Sequence, residues 1–118
     1  MQMPTANDYS ELIKKHCVPC EGGVDPFSSE EIDKYLSMLQ SPWTVVDLKK
    51  LSKEFKFDDF MGSIKFVNEV AKIAEAEGHH PDIYIFYNKV RIELWTHAID
   101  GLSINDFILA VNIEGLVD

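Results

Sequence analysis

Apolar positions alternate with polar or aromatic ones in two runs, residues 83–87 and 90–96, separated by Asn88-Lys89. A period of two marks a strand with one buried face, and so short a separation predicts a β-hairpin. Asn suits a tight turn because it tolerates positive φ. With Asn88-Lys89 as a two-residue turn, Tyr87 pairs with Val90, Ile85 with Ile92, Ile83 with Leu94 and His80 with His97. One face, made of Ile83, Ile85, Tyr87, Val90, Ile92 and Leu94, is then core. The other carries Tyr84, Phe86, Arg91, Glu93 and Trp95, with His80 and His97 together at its open end. Cross-strand partners lie about 5 Å apart, so this register brings two imidazoles together, with His79 one residue further out.

The same alternation, weaker, predicts strands over residues 43–47 and 51–57, where Leu51, Phe55 and Phe57 oppose Ser52, Glu54 and Lys56 and only Lys53 breaks the apolar set. The lysines at 49, 50, 53 and 56 read as a solvated, edge-protecting set. Elsewhere the period is helical. Ser28 and Glu31 form a capping box ahead of the stripe Ile32, Tyr35, Leu36 and Leu39, and Ser41-Pro42 ends that helix. Asp58 or Asp59 caps a long helix that stops at Gly78, a residue suited to the left-handed C′ position. It carries two stripes, Phe60/Ile64/Val67/Ala71/Ala74 and Phe66/Val70/Ile73, too wide an arc for one small sheet to cover. A second subunit is the natural cover. Glu75 falls at the inward edge, one turn before His79. Ser103 and Asp106 make a second capping box, and Phe107, Ala110, Val111 and Glu114 mark the inward edge of a final helix. The order α-β-β-α-β-β-α predicts an α+β fold, one antiparallel sheet with helices packed on one face.

The chain of 118 residues suits one domain. An N-terminal segment, residues 1–27, holds the CxxC motif, and residues 28–118 form the domain proper. A formal net charge of −9 argues against nonspecific nucleic-acid or anionic-membrane binding. No apolar run reaches the ~18 residues of a membrane span. The N-terminus lacks a secretory h-region, and a reducing, cytoplasmic setting is expected. Cys17 and Cys20 offer at most two zinc ligands, beside His16, and lack the βαβ setting of a redox motif. They read as structural or incidental thiols rather than a metal or redox site.

Three of the four histidines lie at 79, 80 and 97. Imidazole, with an unperturbed pKa of about 6.5, exchanges protons near neutrality. The residues alone leave three readings open: structural histidines, general acid–base catalysis, and a three-His metal site of the kind catalytic zinc uses. No Ser/His/Asp arrangement and no glycine-rich phosphate loop stands out.

From about Cys17 onward the chain resembles the pterin-4a-carbinolamine dehydratases. The resemblance rests on Glu75, His79-His80-Pro81, Tyr87-Asn88-Lys89-Val90, Thr96-His97, and Gly101-Leu102-Ser103 with Asp106. Phe55-Lys56-Phe57 with Asp59-Phe60, and Cys17-x-x-Cys20 followed by Glu-Gly-Gly, also fit. Gly78 departs from the family, which commonly has Asp or Asn there. The resemblance implies a four-stranded antiparallel sheet backed by helices, assembled as a homodimer or homotetramer. It implies a hydro-lyase, 4a-hydroxytetrahydrobiopterin dehydratase, that turns the 4a-carbinolamine into quinonoid dihydropterin. That step recycles the cofactor of a pterin-dependent aromatic amino acid hydroxylase and uses no metal or organic cofactor. His79 and His97 would transfer protons and His80 would hold the pterin. Pro81 and Thr96 would line the site, and Glu75 and Asp106 would support or contact the substrate. The alternative is a dimerisation or transcriptional coactivator-type module without catalysis, since some relatives double as coactivators.

Overall fold

The computed structural model describes residues 12, 14–17 and 25–117; Cys20, named above, lies outside them, as do Tyr9 and Ile13, whose spacing with Leu12 hints at a short helix. The elements are α1 (Ser29–Leu36), β1 (Thr44–Val46), β2 (Lys50–Lys56), α2 (Phe60–Glu77), β3 (Asp82–Phe86), β4 (Lys89–Leu94), a 3-10 turn (His97–Ile99) and α3 (Ile104–Glu114). The strands form one antiparallel sheet in the order β1-β2-β4-β3. Both capping boxes form, at Ser28/Glu31 and Ser103/Asp106. Asp59 caps α2 by accepting from the Gly62 N–H, and Gly78 ends it in the left-handed region at φ 66°. Among the described residues no helix is long and apolar enough to cross a membrane.

The core lies between the sheet and the helical layer. Leu51, Phe55, Val90, Ile92 and Leu94 share one buried cluster with Phe66 and Val70 of α2 and with Phe107, Leu109 and Ile113 of α3. α3 is buried along nearly its whole length, because α1 and the segment before it cover its far side. Phe27 and Tyr35 stack there on Phe107, with ring centroids 6.0 and 5.5 Å away. Leu12 belongs to the same cluster, and the Phe27 N–H donates to the Leu102 carbonyl at 2.8 Å. Residues on both sides of the expected 27/28 boundary therefore share one core.

At the end of α3 the Glu114 side chain is buried and saturated. It accepts from the backbone N–H groups of Gln40 (3.2 Å) and Ser41 (2.8 Å), from the Trp43 indole (3.1 Å) and from the Ser41 hydroxyl. A buried carboxylate is tolerable only with such compensation, and here it ties the α1–β1 connection to the last helix.

Two expectations are corrected. The hairpin turn is Tyr87-Asn88, not Asn88-Lys89: Phe86 pairs with Lys89, Ile85 with Val90, Ile83 with Ile92 and Asp82 with Glu93. Tyr87 takes the positive φ, 54°. Both registers put every strand residue on the same face, so the apolar alternation could not separate them. Pairing of β4 with β2 holds the Asn88 carbonyl on the Phe57 N–H at 2.7 Å. Tyr87 is therefore a turn residue, 66% exposed, and Ile85 on the edge strand β3 is 41% exposed; neither is core. Of the two stripes on α2, Phe66 and Val70 face the sheet with Ser63 and Ala74, while Phe60 and Met61 remain exposed.

Candidate active site

His79 follows directly from the end of α2. Gly78 turns the chain in the left-handed region, and the His79 N–H bonds back to the Ala74 carbonyl at 3.2 Å. This delivers the imidazole to the start of α3, where its Nε2 lies 2.6 Å from Asp106 Oδ1. Asp106 is fully buried. Its other oxygen, Oδ2, accepts from the Thr96 hydroxyl (2.9 Å) and from the Ser103 N–H (3.0 Å). Thr96 Oγ1 also lies 2.9 Å from Ser103 Oγ. The Thr96 proton is committed to the carboxylate, so the Ser103 hydroxyl donates to Thr96, while Ser103 Oγ accepts from the Asn105 N–H at 3.3 Å. A carboxylate that already accepts a backbone N–H and a hydroxyl on one oxygen accepts on the other as well. The proton between His79 and Asp106 therefore sits on Nε2, and Nδ1 is the imidazole nitrogen left to exchange protons.

Thr96 and Asp106, expected to line the site and to support or contact the substrate, are 3% and 0% exposed and stand behind His79. Glu75, expected at the inward edge of its helix, points outward with its side chain 80% exposed. It reaches His80 Nε2 at 3.3 Å. His97 does not face His80 across the hairpin, because the register differs. It opens the 3-10 turn, and its ring packs on Trp95 with centroids 3.9 Å apart. Trp95 in turn donates from its indole to Asp82 at 3.1 Å, two residues after His80 and next to the half-buried Pro81. His79 is tied through Asp106 to Thr96, His97 packs on Trp95, which bonds Asp82, and His80 meets Glu75. The roles of Trp95 and Asp82 carry no signal in sequence spacing, since they depend on the hairpin register.

Glu77, at the last turn of α2, likewise carries no signal in sequence spacing. It accepts from the Cys17 N–H at 2.7 Å and meets His16 Nδ1 at 2.9 Å. Those contacts, the His16 bond first, hold its carboxyl below the usual carboxylate range. The Cys17 thiol donates to the Asn105 carbonyl at 3.5 Å. Burial, reinforced by the nearby Glu77 and Asp106 charges, pushes that thiol from 9.0 up to about 12. The native state keeps a proton that the unfolded chain gives up near pH 9, so this group's contribution to stability is full below that pH. It is lost as the pH rises towards 12. Reactivity follows the same shift. In a Cys20→Ser background at pH 8, native Cys17 should react with a disulfide reagent at a rate about 10³-fold below that of the denatured chain. Equal rates in the two states would contradict the burial.

Two concavities, of about 560 and 470 Å³, lie against β2 with the end of α3 and on the outer side of α2. Neither is lined by a histidine. Among the described residues no group of three His, Cys, Asp or Glu side chains is arranged to hold a metal ion.

The family model described as pterin 4 alpha carbinolamine dehydratase matches residues 25–116. A protein of Rickettsia bellii (strain OSU 85-389), named "Putative pterin-4-alpha-carbinolamine dehydratase", is 52% identical over 103 residues, covering 87% of this chain and 91% of its own. A Chlorobaculum tepidum protein of the same name is 47% identical over 111 residues, covering 92% and 99%. A crystal structure described as a transcriptional coactivator/pterin dehydratase from Brucella melitensis superposes with a TM-score of 0.74 at 28% identity, covering 80% of this chain and 100% of that one. A pterin dehydratase-like RuBisCO assembly factor of the alpha-carboxysome shares the fold, with a TM-score of 0.56 at 22% identity, covering 65% and 90%. The sheet, the helical layer and the sequence carrying both histidine segments all agree with these matches: the chain belongs to the pterin 4 alpha carbinolamine dehydratase family.

Proposed function

We propose that the protein dehydrates 4a-hydroxytetrahydropterin to quinonoid dihydropterin by histidine acid–base catalysis, without a metal or organic cofactor. The observation that carries this reading is the His79–Asp106 pair, an oriented imidazole with one nitrogen fixed and the other open. Loss of water from a carbinolamine is not a redox step. The electron pair of the ring N–H bond forms the C=N double bond as a base takes that proton, and the C4a–O bond breaks as an acid protonates the hydroxyl. One proton is taken and one is given, so two imidazoles suffice. His79 and His97 are the proton-transfer groups in this reading, and His80, braced by Glu75, holds the pterin. The step recycles the pterin used by an aromatic amino acid hydroxylase in the cytoplasm.

The test generates the carbinolamine with a pterin-dependent hydroxylase and follows its decay by absorbance, with chelator present. The purified chain should accelerate decay. His79→Ala and His97→Ala should each lose most turnover, within the ~10²–10⁴-fold typical of a positioned acid or base. The double variant should lose more, and His80→Ala should mainly raise KM. Near-wild-type turnover in the double variant would remove the mechanism.

A binding-module reading has one observation in its favour, the exposed Phe60 and Met61 on α2, and a structural relative described in part as a coactivator. In our reading that face closes a homodimer or homotetramer, since exposed apolar patches mark interfaces. Light scattering at micromolar concentration should give a mass at least twice that of the chain. A monomer mass would end the assembly proposal.

A further inference from the structure

The His79–Asp106 contact spans two elements, the end of α2 and the start of α3. A second path spans the same gap. Glu77, two residues before His79, holds the Cys17 N–H at 2.7 Å, and the Cys17 thiol reaches the carbonyl of Asn105, the residue before Asp106, at 3.5 Å. Leu12, buried in the core, anchors the chain ahead of this crossing. The bridge lies partly in a segment upstream of the matched residues 25–116. We infer that Glu77 and Cys17 are positioning residues for the histidine: together they set the spacing of α2 and α3 at which His79 meets Asp106. The inference rests on the acid–base reading for its effect on turnover, but not for its geometry.

The chemistry of the bridge fits the task. The thiol stays protonated and so remains a donor to Asn105. The Glu77 side chain is 12% exposed, whereas its other partner, His16, is 83% exposed; the Cys17 amide is therefore the contact that bears on spacing. Glu77→Gln keeps a carbonyl oxygen for that amide, and Cys17→Ser keeps a donor for Asn105. Glu77→Ala removes the acceptor for the Cys17 amide, and Cys17→Ala removes the donor to Asn105.

The experiment compares these four variants with the wild-type chain. It reads kcat and KM, thermal melts, and the solvent exchange of the His79 Nε2 proton in imidazole NMR. The alanine variants, while folded, should lose at least about tenfold in kcat with KM within twofold, as expected for a misplaced group, and their Nε2 proton should exchange faster. Glu77→Gln and Cys17→Ser should restore both. Unchanged kcat and exchange in the folded alanine variants would overturn the inference, and so would equal losses in all four. If the wild-type chain shows no dehydration at all, the proposed function fails, and the exchange of the Nε2 proton still decides whether the bridge holds the pair.

Discussion

Asp106→Asn should lower turnover by about 10²–10⁴-fold while leaving the chain folded. The reason lies in which oxygen is replaceable. Oδ2 accepts from Thr96 and from the Ser103 N–H, so the amide oxygen must take that place. The amide NH₂ then faces His79 Nε2 at the former Oδ1 position. A donor there demands an acceptor, so Nε2 gives up its proton and the hydrogen moves to Nδ1. The imidazole is held as before but in the opposite tautomer, with its open nitrogen now a donor. Steady-state kinetics paired with nitrogen-15 imidazole spectra check both halves of the argument. Wild-type turnover with an inverted tautomer would sink the role given to Nδ1. Asp106→Ala should add a stability loss, because it removes the N3 half of the capping box and strands the Thr96, Ser103 and His79 donors, at about 1–3 kcal/mol for each group left buried and unpaired.

The largest effect on stability should come from Glu114. Its carboxylate is 2% exposed and takes hydrogen bonds from Gln40, Ser41 and Trp43. Glu114→Ala leaves two backbone N–H groups, the Ser41 hydroxyl and an indole without this partner. At about 1–3 kcal/mol for each donor left unpaired, the cost should be about 3–5 kcal/mol, enough to lower Tm by more than about 10 °C in a domain of this size. Glu114→Gln should cost less. Its oxygen can keep the Ser41 and Trp43 donors, and only the Gln40 N–H then meets another donor. Thermal melts that place the two variants together would contradict this division. Neither should change the catalytic profile of protein that remains folded, since Glu114 contacts Gln40, Ser41 and Trp43 and none of the histidines.

What could be read from the sequence was local. The capping boxes at Ser28/Glu31 and Ser103/Asp106, the stop at Gly78 and the alternation along β4 are patterns within a few residues, and all appear in the structure. Gly78 is informative in a second way. Glycine, asparagine and aspartate are the residues that best tolerate positive φ, and φ there is 66°. Its departure from the commoner family residue therefore keeps the backbone requirement. What escaped the sequence was long-range. The hairpin register followed from the pairing of β4 with β2, so His97 landed on Trp95 instead of opposite His80. Glu77 finds Cys17 some sixty positions away, a distance over which no periodicity runs. Glu75 and Glu77 lie two apart on one helix and looked alike, yet only Glu77 turns to a partner that bridges two elements.

Asp106 serves two masters: one carboxylate closes the capping box of α3 and steadies the imidazole. Sequence drift cannot discard these duties separately. A descendant that abandoned dehydration but kept the fold would still need an acid at this place to begin its last helix. The histidine, whose loss disturbs no cap, is free to go first. Among diverged copies, an aspartate without its histidine would be the remnant of a retired enzyme, and the reverse combination should be rare.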